Sequence, residues 1–368
     1  MKLWPLLLCG GLLAAQEAPA QAAPFSEEGT AWWLPSGILR AETERFDLGP
    51  GKEPIHRQRA QLHLRWELGQ GPFQLLLGSA HSMSSTSNQK DIPWFENMRS
   101  NGSSLDLAAI KLQGLREAGG GELSAGLVEN PLWVGESLWD PQLRVLGGSG
   151  RLFWRNESIE ELGLRAIAGD VRLIEGGRVK LAAGQMIFRL NTGAVRWTLH
   201  AGEWRLEPRQ EDASKFLRQN PGSYTTAYGS YGASSTTTLM YPDPSFHYRL
   251  WGLGADSQGP FPFEIKAQRQ LRTGSSDRGE ELQIWLGSPR RAWWPQAGWI
   301  RQRLDDAGAL ASVNGDQWWF HANADGNLYV LALNLPHRWR LEGRHMDQVR
   351  RGATTHVIRE SLALIARF

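Results

Sequence analysis

The feature that most constrains this chain is a two-residue alternation of side-chain character that recurs along much of its length. From Val357 to Phe368, the residues Leu362, Leu364, Ala366 and Phe368 fall on one face, with Ser361, Ala363, Ile365 and Arg367 on the other. From Ala60 to Leu68, the residues Ala60, Leu62, Leu64, Trp66 and Leu68 alternate with Gln61, His63, Arg65 and Glu67. A period of two belongs to an extended strand whose faces meet different surroundings, because successive side chains point to opposite sides. The same alternation predicts strands at Leu162 to Ala168, Val179 to Ala183, Val195 to Leu199, Trp204 to Pro208, Phe246 to Leu250, Phe263 to Ala267, Leu282 to Leu286 and Trp339 to Gly343. So many such segments predict an all-β fold.

The first residues read differently. Lys2 precedes an apolar run from Leu3 to Ala15, and small residues follow at Ala18, Ala20 and Ala22. This predicts a cleaved signal peptide over residues 1–22, leaving 23–368 as one folded unit. Leu6-Leu7-Leu8-Cys9 is a poor lipoprotein signal, since bulky Leu8 stands where a small residue is expected. Cys9 is the only cysteine, so the mature chain is expected to hold no disulfide, thiolate metal site or cysteine nucleophile. After the signal, no stretch approaches the roughly 18 uninterrupted apolar residues that a membrane-spanning helix needs.

That test does not apply to a barrel, whose lipid-facing residues alternate with interior ones and dilute the mean hydropathy, here -0.40. Composition is more discriminating. The chain holds 18 Trp, several near segment ends as in Trp32-Trp33, Trp293-Trp294 and Trp318-Trp319. Indole prefers the membrane-water boundary, where its ring is half buried and its N–H stays wet. A last strand ending on an aromatic residue, in a chain that begins with an export signal, resembles the closing strand of a bacterial outer-membrane β-barrel. The resemblance implies a transmembrane antiparallel β-barrel; length accommodates 14 to 16 strands of about ten residues, and the larger even number is expected.

Connectors divide into two kinds, as the two ends of a barrel require. Tight turns are predicted at Gly69-Gln70-Gly71, Ala118-Gly119-Gly120, Glu175-Gly176-Gly177, His200-Ala201-Gly202 and Leu335-Pro336-His337. Long polar loops are predicted at His81 to Ser104, Arg209 to Tyr241, Gly274 to Gly279 and Asp347 to His356. Leu105 to Leu115 breaks phase, which points either to a β-bulge or to a strand boundary that falls elsewhere.

One longer motif stands out. Gly126-Leu127-Val128-Glu129-Asn130-Pro131-Leu132-Trp133 is followed by Ser137-Leu138-Trp139-Asp140-Pro141 and Val145-Leu146-Gly147-Gly148. Asn130-Pro131 should end a strand, since Pro131 lacks the ladder donor, and Asp140 should accept backbone N–H bonds in a turn. The run resembles a family of porins of Gram-negative outer membranes. Members carry a glycine, an Asn-Pro step, a Trp-Asp turn and a Pro-x-Gly before the next strand. Here Leu132 separates Pro131 from Trp133, and Gln142 stands where an acid is frequent. The resemblance implies a loop packed inside or over the barrel and a homotrimer. It also implies outer-membrane lipid around the wall and an assembly machinery that reads the last strand with its Phe368.

With the apolar faces toward lipid, the opposite faces carry Arg59, Arg65, Arg151, Arg155, Arg165, Lys180, Arg196, Arg205, Arg249, Lys266, Arg301, Arg303, Arg338, Arg340 and Arg344. The acids expected there are fewer: Glu67, Glu207, Glu264, Glu281 and Glu342. A basic interior would concentrate anions. The bland reading is that neighbouring strands pair these arginines with acids. His81-Ser82, His63, His247 and His321 form no recognisable Ser/His/acid arrangement, Asp305-Asp306 has no histidine nearby, and Asp325-Gly326-Asn327 reads as a turn. No enzyme, cofactor, metal or nucleic-acid partner is expected. The expected function is passive diffusion of small hydrophilic solutes; the rival is a non-conducting structural or adhesive barrel with a plugged interior and partner-binding loops.

Overall fold

A two-faced strand can satisfy its backbone in oil only if the sheet has no edge, and this chain closes on itself. The structure, a computed structural model, describes residues 31–87, 102–116, 118–172, 178–208, 246–257, 259–289, 291–305, 308–309, 318–320 and 323–368. The strands are β1 (Ala31–Asp47), β2 (Ile55–Gln70), β3 (Phe73–Thr86), β4 (Gly102–Arg116), β5 (Gly119–Val128), β6 (Val145–Trp154), β7 (Ile159–Arg172) and β8 (Arg178–Asn191). They continue with β9 (Arg196–Pro208), β10 (Phe246–Ser257), β11 (Phe263–Arg272), β12 (Arg278–Leu286), β13 (Pro295–Leu304), β14 (Ala324–Asn334), β15 (Trp339–Arg350) and β16 (His356–Arg367). Each pairs antiparallel with its sequence neighbours, and β16 pairs with β1, giving a closed barrel of 16 strands. At the seam Gly37 N–H donates to Phe368 O at 2.8 Å and Phe368 N–H returns to Gly37 O at 3.0 Å. A Cβ on Gly37 would lie 2.5 Å from the Phe368 ring, so glycine makes room for the aromatic residue.

The predicted turns at Gly69–Gly71, Ala118–Gly120 and Leu335–His337 fall at the same end of the barrel as the seam's Phe368. Two expected turns are strand interior instead. His200-Ala201-Gly202 lies inside β9, where a Cβ on Gly202 would come within 2.4 Å of Gly184 O: the glycine serves a close strand approach. Asp325-Gly326-Asn327 lies inside β14, and Gly326 leaves space for the Trp318 ring, 2.7 Å from where its Cβ would be. The turn between β8 and β9 is made by Asn191, whose Oδ1 accepts the N–H of Gly193 at 2.9 Å, with Gly193 at φ +84°. The phase break in β4 is a bulge. Gly78 pairs with Leu107 and Ser79 with Leu105, so Asp106 is the extra residue. The signal peptide, Cys9, Glu175–Gly177, Arg209–Tyr241, Asp306 and His321 lie outside the described residues.

Inside and outside are fixed by the residues 129–144, whose contacts come from inward faces of β2, β7, β8, β11 and β12. In the half of the wall toward the short turns, outward side chains are apolar and exposed. Leu164, Met186, Leu199, Leu253, Leu286, Leu331, Leu341, Leu362 and Leu364 all belong to this band. A continuous apolar band of this kind is costly in water and suited to hydrocarbon. Toward the other end, outward side chains become charged pairs: Arg249–Glu203 (3.2 Å), Arg269–Glu280 (3.5 Å), Arg303–Asp325 (3.8 Å), Arg45–Glu360 (3.5 Å) and His356–Asp347 (2.6 Å). Both Ala60–Leu68 and Leu362–Phe368 place their apolar rows outward, as the alternation predicts.

Three segments are inverted relative to expectation. Val179, Leu181, Ala183, Trp204, Leu206, Phe246, Tyr248 and Leu250 are buried on the inside, and Lys180, Arg205, Glu207 and Arg249 point outward. These stretches sit above the apolar band, where the outer surface meets water, so the apolar face serves the interior instead. Because the only cysteine is Cys9, single cysteines can map the boundary. In vesicle-embedded protein, Arg205→Cys should react with a membrane-impermeant maleimide while Leu164→Cys should stay unmodified. Equal labelling of both would contradict the placement of the apolar band.

Candidate functional site

The interior is organised by the connection between β5 and β6, which folds inward. Its shape is local chemistry. Val128 ends β5, Asn130 Oδ1 accepts the N–H of Leu132 at 3.0 Å, and Pro131 supplies no ladder donor. Asp140 Oδ1 accepts the N–H of Gln142 at 2.8 Å, closing the turn expected around Trp139 and Pro141. One side of the loop is apolar: Leu132, Leu138, Trp139 and Leu143 pack on Leu107, Ile167, Leu181, Trp204, Phe246 and Tyr248 of the inner wall. Trp139 and Trp204 lie 5.5 Å apart. Burial of several large side chains, each contributing roughly 1.5–3 kcal/mol, explains why this sector of the inner wall is apolar.

The other side is held by polar side chains of the wall. Gln185 both accepts the N–H of Trp133 and donates to its carbonyl, each at 2.8 Å. Gln268 Oε1 accepts the N–H of Gly135 at 2.7 Å, and Glu281 Oε2 accepts the N–H of Ser137 at 2.6 Å. Arg165 Nη1 donates to Pro131 O at 2.8 Å. At the loop root, Arg144 bridges Glu129 (3.5 Å) and bulged Asp106 (3.2 Å), while Arg65 meets Glu129 at 3.0 Å. The bulge in β4 thus provides the carboxylate that receives Arg144. A second segment also enters: Trp318, Trp319 and Phe320 pack on Ile300, Leu328, Val330, Met346 and Val357. Gln348 holds it as Gln185 holds the first, accepting the N–H groups of Trp319 (2.9 Å) and Phe320 (2.6 Å) and donating to Phe320 O (2.7 Å).

The remaining inner wall is charged. On β1, β2, β15 and β16, Arg40, Arg57, Arg59, Arg340, Arg344 and Arg359 surround Glu42, Glu44 and Glu342. On β6, β7 and β8, Arg151, Arg165 and Arg189 share Glu161. Arg196 meets Asp256 (2.9 Å) and Glu160 (3.0 Å). Arg65 also meets Glu67 at 2.8 Å, and Glu264 meets Lys266 at 2.5 Å, whose ammonium lies over the Trp133 ring.

Of the residues singled out from sequence, Arg59, Arg65, Arg151, Arg165, Arg196, Lys266, Arg340, Arg344, Glu67, Glu264, Glu281 and Glu342 face inward. Arg301 and Arg303 do not. They lie on the outer face of β13, between inward Ile300, Gln302 and Leu304, because this stretch is above the apolar band. Arg155 follows β6 in a turn, its N–H donating to Ala118 O at 2.9 Å, and Arg338 lies in the turn before β15. Gly147 belongs to β6, where a Cβ would lie 2.1 Å from Ala168 O; it permits close strand packing. Sequence reading passed over Arg40, Glu42, Glu44, Arg57, Glu161, Arg189 and Arg359. The spacing of Arg40, Glu42, Glu44 and Phe46 is itself a period of two. His81 lies on the outer face between Ser79 (3.0 Å) and Ser103 (2.7 Å).

No protein-family model matches the chain, and no curated protein matches it. Solved structures do. Pseudomonas putida OprB in its high-pH form superposes with a TM-score of 0.56 at 8% identity, covering 91% of this chain and 94% of that one. Salmonella typhi OmpF, in complex with daunomycin, gives 0.53 at 8% identity, covering 91% and 97%. Similarity at this identity is similarity of fold: a closed barrel of the same kind.

The loop's seat offers a direct check. A Cβ on Gly135 would lie 2.3 Å from Glu281 Oε1, whereas Gly114 on β4 has nothing within 4 Å. Gly135→Ala should push the Glu281 carboxylate off the Ser137 N–H and cost about 1.5–3 kcal/mol, the worth of a hydrogen bond to a charged group, lowering the temperature at which the folded barrel loses its compact mobility in gels. Gly114→Ala should leave that temperature within a degree or two.

Proposed function

We propose that this chain forms a water-filled channel through the outer membrane that lets small hydrophilic solutes diffuse passively, with a preference for anions. It supplies passage and charge bias, and no chemistry on the solute. The observation that carries the reading is the shortage of carboxylates on two facing walls. Strands β7 and β15 stand eight apart in a ring of 16, hence on opposite sides. On the β15 side six guanidiniums share Glu42, Glu44 and Glu342; on the β7 side Arg151, Arg165, Arg189, Arg196 and Lys111 meet Glu161, Glu160, Asp256 and Glu122, a smaller surplus of the same sign. Arginine stays charged at any physiological pH, so both walls keep a positive surplus that favours anions in the water between them.

Within this reading the apolar band contacts outer-membrane lipid, and β16 with its aromatic end is the strand that an assembly machinery would engage. Three copies would associate through the outer faces of β3 and β4. There Met83 and Leu105 are more than 60% exposed, at a height where other sectors carry ion pairs. Native mass spectrometry in detergent should give three times the subunit mass, and Leu105→Arg should shift it toward one.

The two inward segments favour one competing outcome, a barrel filled too tightly to conduct. Planar-bilayer recording decides between them. Under a potassium chloride gradient near 0.1 M, the channel should conduct, with a reversal potential displaced toward the chloride equilibrium. The displacement should shrink near 1 M salt, where the screening length falls from about 10 Å to about 3 Å. Cation preference would refute the charge bias; no conductance would favour the filled barrel.

A further inference from the structure

Glu161, about 1% exposed, takes three guanidiniums at once: Arg165 Nη2 at 2.8 Å, Arg189 Nη1 at 2.9 Å and Arg151 Nη2 at 3.0 Å. Strand register causes the crowding. Arg151 stands directly opposite Arg165 across β6 and β7, and Glu161 directly opposite Arg189 across β7 and β8. Like charges facing each other across a sheet are destabilising, so the arrangement needs a neutralising group, and one carboxylate against three guanidiniums falls short. Around this cluster, Arg196 is held by Asp256 and Glu160, and Glu122, opposite Arg151 across β5 and β6, is held by Lys111, so the sector as a whole keeps one positive charge in excess, centred on the guanidiniums that share Glu161. Arg165 spends a further N–H on the loop at Pro131 O.

The donors left over belong to the other two. Arg151 uses Nε and Nη2 on Glu161, and its plane rests on the Phe153 ring at 4.5 Å, leaving Nη1. Arg189 uses Nη1 alone, leaving Nε and Nη2. Both side chains are partly open to interior water, at 28% and 20% exposure.

We propose that Arg151 and Arg189, held in place by Glu161, form a binding site for multivalent oxyanions of the phosphate class on the inner wall. The proposal rests on the channel reading above and adds a saturable site to it. Guanidinium forks present fixed N–H pairs that match the oxygens of a tetrahedral anion, whereas chloride offers no geometry to match and a monocarboxylate only one charge. A passing phosphate would dwell here and slow chloride.

The test uses the full mature barrel in planar bilayers with potassium chloride, and inorganic phosphate as the probe at neutral pH. Phosphate should reduce the chloride current saturably, and acetate at equal concentration should not. Arg151→Gln and Arg189→Gln should each raise the half-blocking phosphate concentration by about tenfold, the loss of one charge-assisted contact. Arg303→Gln, on the outer face, should leave it unchanged. Should a glutamine variant fail to fold, Arg189→Lys keeps the charge, loses the fork and should still weaken the block. Chloride current without phosphate block, equal block by acetate, or block unaltered in both inner variants would each overturn the site while leaving the channel reading intact. Absence of any chloride current would instead refute the channel reading. Calorimetric titration of the detergent-folded barrel with phosphate then decides the site: binding lost in both variants sustains it, and no binding overturns it.

Discussion

Everything in this molecule depends on the seam between β1 and β16. A sheet with a free edge would expose a row of unpaired N–H and C=O groups to hydrocarbon, at several kcal/mol each. Joining Gly37 to Phe368 and running the ladder from Ile38–Arg367 to Asp47–Ile358 removes that edge. Once the backbone is self-sufficient, side chains alone meet the surroundings, and the chain is free to use one face for oil and the other for whatever the interior requires.

The interior requires two different things. Where residues 129–144 lie against the wall, it must be apolar, and Ile167, Leu181, Trp204 and Tyr248 provide that. Where water remains, it carries guanidiniums in excess of carboxylates. The exterior changes too, from an apolar band to a ring of ion pairs nearer the long connections. A single strand therefore exchanges the roles of its two faces along its length. In β8, Met186 and Phe188 face out within the apolar band, while Val179 and Leu181 face in beyond it.

This exchange explains what was legible in the sequence and what was not. Strand existence, the all-β class, the phase break in β4 and the Asn130 and Asp140 turns follow from local patterns, while the strand number follows from chain length and the need for an even count; the structure has 16 strands and resolves the phase break as a bulge. Which face points inward is not a local property. Ala60–Leu68 and Leu362–Phe368 run through the apolar band, so their apolar rows face out as expected. Trp204–Pro208 and Phe246–Leu250 have the same alternation but lie beyond the band, so the same rule assigns them backwards, and Arg205, Arg249, Arg301 and Arg303 follow them. Glycine misled in a related way: Gly202 and Gly326 mark close approaches of strand to strand and of ring to strand, which look like turns when only neighbours in sequence are visible. The clusters around Glu42, Glu44 and Glu161 arise from strands brought together by register, which no single window of sequence displays.

The inward segments hang largely from glutamine amides. Gln185, Gln268 and Gln348 grip main-chain N–H and C=O groups and carry no charge. Such neutral grips are indifferent to ionic strength and to acidity, unlike the guanidinium clusters beside them. Arg165 and Glu281 stand apart from them, because each grips the loop main chain with a charged group, so the seating of the loop and the charge of the wall can be altered separately at the glutamines but only together at those two residues.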